Sequence, residues 1–69
     1  MALNSINSNN KFKKGDKIKV INAVTYAGYP FILCQDKYDI IMIENDKAII
    51  GINNMAIAVV NVKNIKKIK

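Results

Sequence analysis

From Tyr38 to Ile68 the chain repeats one arrangement: short isoleucine- and valine-rich runs, YDIIMIE, KAIIGI, AIAVVNV and IKKI, separated by Asn45-Asp46, Asn53-Asn54 and Lys63-Asn64. Runs of this length are short for globular helices, and β-branched side chains suit the pleated, half-buried surface of a sheet. Asparagine and aspartate tolerate the left-handed backbone that hairpin turns demand, so the first two polar breaks read as reversals. The pattern predicts a meander of strands near 38–44, 47–52 and 56–62. A helix over 56–68 is the competing reading, and the β-branched density of that segment weighs against it.

The flanking segments extend the pattern. Gly15-Asp16 makes a turn before KIKVINAV, which predicts a first strand with Ile18 and Val20 on one face, Asn22 continuing it unless the face shifts at Ile21. Residues 25–37, TYAGYPFILCQDK, hold Gly28 and Pro30 and form the longest excursion, a broad hairpin whose middle, FILC, is expected to be a short strand. Gly51 interrupts a strand and marks a bulge or bend that helps the sheet curl. VKNIKKIK leaves space for one helical turn at Val62–Ile65 and a last strand carrying Ile65 and Ile68. Alternation assigns Ile18, Val20, Ile41, Ile43, Ile50, Ile52, Val60 and Val62 to the core, with Met42 and Met55 as packing residues.

A chain of 69 residues holds one domain, and at this size folding buries only about 60% of the unfolded chain's surface. No apolar run approaches the ~20 residues of a membrane-crossing helix, so the chain reads as soluble with no membrane insertion. Residues 1–11 are rich in asparagine and serine and read as a flexible leader or linker, with neither the basic start nor the apolar stretch of a secretory signal. One cysteine and no histidine leave almost nothing from which to build a zinc site, and no cofactor or metal is expected. Cys34, between apolar residues in FILCQ, reads as a small buried hydrophobe, since no base can be nominated beside it. Asp36 and Asp39 read as solvated loop charges rather than an acid/base pair, because nothing near them in sequence separates their protonation. The chain is expected to bind rather than catalyse.

Its net charge of +6 is unevenly placed. Residues 20–62 hold two lysines against four acids, a balance of −2, while the flanks hold nine lysines against Asp16 alone, a balance of +8. In a small barrel the first and last strands lie near each other. Lys11, Lys13, Lys14, Lys17 and Lys19 are then expected to share a pole with Lys63, Lys66, Lys67 and Lys69, a surface for polyanions such as nucleic acid, anionic lipid or teichoic acid. Solubility and protection of strand edges explain the same lysines equally well. The absence of arginine weighs against sequence-specific nucleic-acid reading.

Three of the five aromatic rings fall within residues 26–31. Aromatic rings lie flat on sugars or on the apolar part of a peptide while their hydroxyls bond the polar rim. Tyr26, Tyr29, Phe31 and Tyr38 are therefore the first candidates for a ligand surface, with Phe31 and Tyr38 also readable as core. Asp36 and Asp39 are candidates for cationic or amide groups of a ligand, and Asn53, Asn54 and Asn61 for further hydrogen bonds, though each is also a common turn or surface residue.

The order of elements, a GDKIKV opening strand, an aromatic excursion, a three-strand meander, a short turn and a closing strand, resembles an SH3-like barrel of about five to six short antiparallel strands. FKKGDKIKVINAVTYAGYPF, YDIIMIENDKAIIGI and AVVNVKNIKKI are similar to the bacterial SH3-like modules at the C-terminus of clostridial phage endolysins and autolysins, and the similarity spans Phe12 to Lys69. It implies a non-catalytic domain over 12–69 that targets a peptidoglycan hydrolase to the Gram-positive wall, held in the host cytoplasm until lysis. Peptidoglycan or an associated wall polymer is the implied ligand, and full-length endolysin or a second copy of the chain an implied partner. Where related modules carry a charged residue after the tyrosine of TY-x-G and a cation two positions on, this chain has Ala27 and Tyr29. The resemblance thus carries the fold further than the ligand. A basic SH3- or KOW-like nucleic-acid-binding protein and a homo-oligomerising assembly module are the alternatives.

Overall fold

A computed structural model of the chain describes residues 12–68, so the expected leader at 1–11, with Lys11, and the terminal Lys69 lie outside the described residues. Five strands, β1 (Lys17–Val20), β2 (Tyr38–Glu44), β3 (Lys47–Ile52), β4 (Met55–Asn61) and β5 (Ile65–Lys67), follow in order, with a 3-10 turn at Val62–Asn64 before the last. They form one antiparallel sheet in the order β4-β3-β2-β1-β5. The last strand thus returns beside the first, and the fold is a small all-β, SH3-like one. Among the described residues no helix is long and apolar enough to cross a membrane.

The turns form where the sequence places asparagine. Asn45 has φ 56 between β2 and β3, and Asn53 and Asn54 have φ 52 and 67 between β3 and β4. Two successive positive φ values at Asn53-Asn54 match the type I′ pattern, whose twist agrees with that of the strands it joins. Asn61 caps the 3-10 turn, its side chain accepting from the Lys63 N–H at 3.0 Å.

Register shifts on both sides of β3 bend the sheet. Ile40 pairs with Ile50 but Met42 with Ile49, leaving Ile41 as an extra residue in β2. Ile50 pairs with Ala58 but Gly51 with Ala56, leaving Ile57 extra in β4. Gly51 lies between these two bulges, and its bare Cα admits close neighbours: a Cβ there would stand 2.0 Å from the Met55 carbonyl oxygen and 2.5 Å from Ile41 Cδ1.

The bulge in β2 changes the core that strict alternation predicts. Phe12, Ile18, Val20, Tyr38, Ile40, Ala48, Ile50, Val60 and Ile65 are buried, and Ile43, Ile52 and Val62 pack against them. Ile41 is displaced from the expected core because the extra residue hands the inward face from Ile40 to Ile43. Met42 and Met55 are exposed rather than packed.

Two expectations for the excursion also change. FILC is not a strand: Ile32 is 90% exposed, and the bridge in this region joins Val24 to Pro30. Cys34 is exposed rather than buried, held at the surface because its N–H donates to the Tyr38 hydroxyl at 2.8 Å.

Candidate functional site

The segment Ala23–Phe31 is a narrow loop tied across its base. Thr25 N–H donates to the Tyr29 carbonyl at 2.7 Å, Phe31 N–H to the Ala23 carbonyl at 3.0 Å, and Gly28 N–H to the Thr25 carbonyl at 2.9 Å. Gly28, at φ 101, supplies the left-handed residue that closes the tip. The Thr25 hydroxyl adds a bond from the Tyr29 N–H at 3.0 Å.

Tyr26 connects this loop to the sheet in three ways. Its N–H donates to the Val59 carbonyl of β4 at 2.7 Å. Its hydroxyl donates to the Asp46 carboxylate at 2.8 Å, and the Lys47 ammonium stands 5.1 Å from its ring centroid. That separation is within cation–π range. Asp46, at the β2–β3 turn, also takes the Val62 N–H on its backbone carbonyl at 2.9 Å, and its second carboxylate oxygen lies 3.5 Å from Asn61 Nδ2. The bond to Asp46, followed by desolvation and the charge of that carboxylate, raises the Tyr26 phenol above its ordinary pKa. The hydroxyl therefore stays protonated and keeps donating.

The Tyr26 ring forms a wall common to two surface hollows. One is lined by Thr25, Tyr26, Ala27, Lys47 and Val59, an apolar floor with one cation. The other brings Asn22, Asn61 and Asn64 together with Tyr26, Thr25 and Lys63, so amides and a cation surround the ring. Below the first hollow, Met42, Ile49 and Val59 are direct cross-strand neighbours, which continues the apolar surface onto the sheet. Ring, methyl surface, amides and ammonium groups thus lie side by side around these two hollows.

Of the expected site residues, Tyr26 and Asn61 meet at the second hollow, and the others are dispersed. Tyr26, 42% exposed, lines both hollows. Tyr29 shares its loop and is 70% exposed but lines neither hollow. Phe31 is half-buried against the core. Tyr38 is a correction: it is 1% exposed, with no ring face open to a ligand, and its hydroxyl takes N–H bonds from Cys34 and Gln35 at 2.8 and 3.3 Å. Asp39 is engaged by Lys17 in an ion pair. Asp36 rims a separate hollow with Lys19, Leu33, Cys34 and Gln35. Asn54 serves the β3–β4 turn. Asp46, Lys47 and Val59 were not legible as site residues, because their proximity to Tyr26 depends on how the loop docks on the sheet. Of these three, Asp46 carried the only hint, as a polar residue between two apolar runs.

What these features define is a small β-sheet domain with a tyrosine-bearing loop pinned against its sheet. No known family profile, curated protein or solved structure matches the chain.

Proposed function

We propose that this chain is a non-catalytic module that binds the Gram-positive cell wall and concentrates a peptidoglycan hydrolase on it. The observation that carries the reading is Tyr26: an accessible ring, fixed by its backbone, its hydroxyl and the Lys47 cation, between an apolar hollow and an amide-lined one. A ring held this way loses little entropy when a sugar or peptide stem covers it, so more of the contact energy appears as affinity. The resemblance read from the sequence of residues 12–69 to the SH3-like modules of clostridial endolysins and autolysins implies the same function. Sedimentation of the labelled chain with purified Gram-positive sacculi tests it. Retention without lysis is expected, and Tyr26→Ala is expected to weaken it about tenfold, equivalent to ~1.4 kcal/mol, with the far-UV spectrum unchanged. Equal retention of the variant would remove Tyr26 from the site, and no retention of the parent chain would end the wall-binding reading.

A further inference from the structure

The strands β1 and β5 place two like charges opposite each other. Lys17 and Lys19 alternate with the buried Ile18 and Val20, and on β5 Lys66 follows the buried Ile65. Lys19 and Lys66 are direct cross-strand partners on the outer face. Facing Cα atoms in an antiparallel pair stand about 4.5–5.5 Å apart, and like charges so placed destabilise the sheet. Elsewhere on these strands a carboxylate compensates: Asp39 pairs with Lys17, and Asp16 with Lys67 at 3.3 Å. Among the described residues, Lys19 and Lys66 have no carboxylate at ion-pair distance. Lys66, on the edge strand β5, also guards that edge, and an anion between the two lysines relieves their repulsion and gains from both.

We propose that Lys19 and Lys66 grip the phosphodiester chain of a polyol-phosphate polymer of the wall. The inference rests on the wall-binding reading above but uses a surface separate from the Tyr26 hollows. Two features favour a polyol-phosphate chain over nucleic acid. The chain contains no arginine. Phe12, the ring beside Lys66, is buried, and the exposed rings Tyr26 and Tyr29 belong to the 23–31 loop, so bases have no stacking platform beside the lysine pair.

The test compares the parent chain, the double variant Lys19→Gln/Lys66→Gln and Tyr26→Ala on intact walls and on walls stripped of polyol-phosphate polymer, over a salt series. Stripping is expected to weaken parent retention roughly tenfold. The double variant is expected to bind intact walls as weakly as the parent binds stripped ones, with the slope of log affinity against log salt shallower by about 1–2. Its melting temperature is expected to rise by about 2–6 °C as the repulsion disappears, which separates lost contact from lost folding. Parent-like retention of the double variant on intact walls overturns this inference and leaves the wall reading standing. Displacement of the parent from intact walls by single-stranded DNA more readily than by free polyol-phosphate polymer also overturns it. No retention of the parent on either wall overturns both.

Discussion

Replacing Gly51 with alanine isolates the feature that shapes the sheet. The added carbon would lie 2.0 Å from the Met55 carbonyl oxygen, 2.7 Å from the Met55 carbonyl carbon and 2.5 Å from Ile41 Cδ1. The isoleucine methyl is the end of a flexible side chain and can rotate away. The carbonyl cannot: it belongs to the backbone of β4, and must retreat by about 1 Å to reach the 3.0 Å that real Cβ atoms keep. That movement pulls apart the Gly51–Ala56 and Ile52–Met55 pairs that close the β3–β4 hairpin.

Overpacking of this kind costs about 1–3 kcal/mol, and each backbone hydrogen bond weakened adds about 1 kcal/mol. A loss near 3 kcal/mol is therefore expected for Gly51→Ala. At about 4–8 °C per kcal/mol for a domain of this size, the melting temperature should fall by about 12–24 °C. A domain of this length has only about 3–10 kcal/mol in hand, so a sizeable unfolded population near body temperature is the expected result. Gly28→Ala is the control: its Cβ meets nothing within 4 Å, and only the φ of 101 opposes it, a strain of about 1–2 kcal/mol. Urea denaturation of both variants, followed by far-UV circular dichroism, gives the comparison. If Gly51→Ala is no less stable than Gly28→Ala, the close approach of β4 to β3 at this bulge is wrong, and with it the account of how the sheet curls.

Other expectations concern the two polar anchors. Tyr38→Phe removes the acceptor for the Cys34 and Gln35 amides, so a loss of about 1–2 kcal/mol is expected in the same denaturation assay. Amide exchange should quicken at those two residues, and unchanged exchange there would mean the hydroxyl does not hold the loop. Asp46→Asn removes the carboxylate that raises the Tyr26 phenol. Because that pKa is raised, the bond's contribution is fully present below the ordinary phenol range and is lost only as pH climbs through the raised value. Phenolate absorbance should accordingly show Tyr26 ionising at lower pH in Asp46→Asn than in the parent, and coincident titrations would contradict the hydrogen bond.

The hairpins were legible because their determinants are local. A positive φ at Asn45, Asn53 and Asn54 follows from what those side chains tolerate, and β2 and β3 begin and end where the apolar runs do. Core membership was less legible because a bulge inverts the faces of everything beyond it. One extra residue, Ile41, moved the buried position from 41 to 40, and nothing in YDIIMIE distinguishes the two isoleucines. Tyr38 presents the same limit: a tyrosine opening a strand suits either an exposed platform or a buried pillar, and the amides that decide it lie in the irregular segment before it. The concentration of rings in residues 26–31 did mark the loop that carries the exposed Tyr26 and Tyr29. Which ring would stand beside Lys47 depends on a backbone bond between residues 26 and 59, beyond the reach of local pattern.

On the proposed function, that long-range bond also explains how so small a domain serves a polymeric ligand. A free loop would spend much of its contact energy on becoming ordered, whereas Tyr26 is held by β4, by the β2–β3 turn and by a cation of β3 before any ligand arrives. On the proposed function, each contact with the wall can remain weak. The wall repeats its units, the Tyr26 hollows and the Lys19–Lys66 pair are formed by separate strands, and a second contact made by an already bound module is intramolecular. Its strength then depends on effective concentration rather than on the affinity of either surface alone. Weak individual contacts also let the module release and rebind, so an attached hydrolase can move to uncut wall without leaving it.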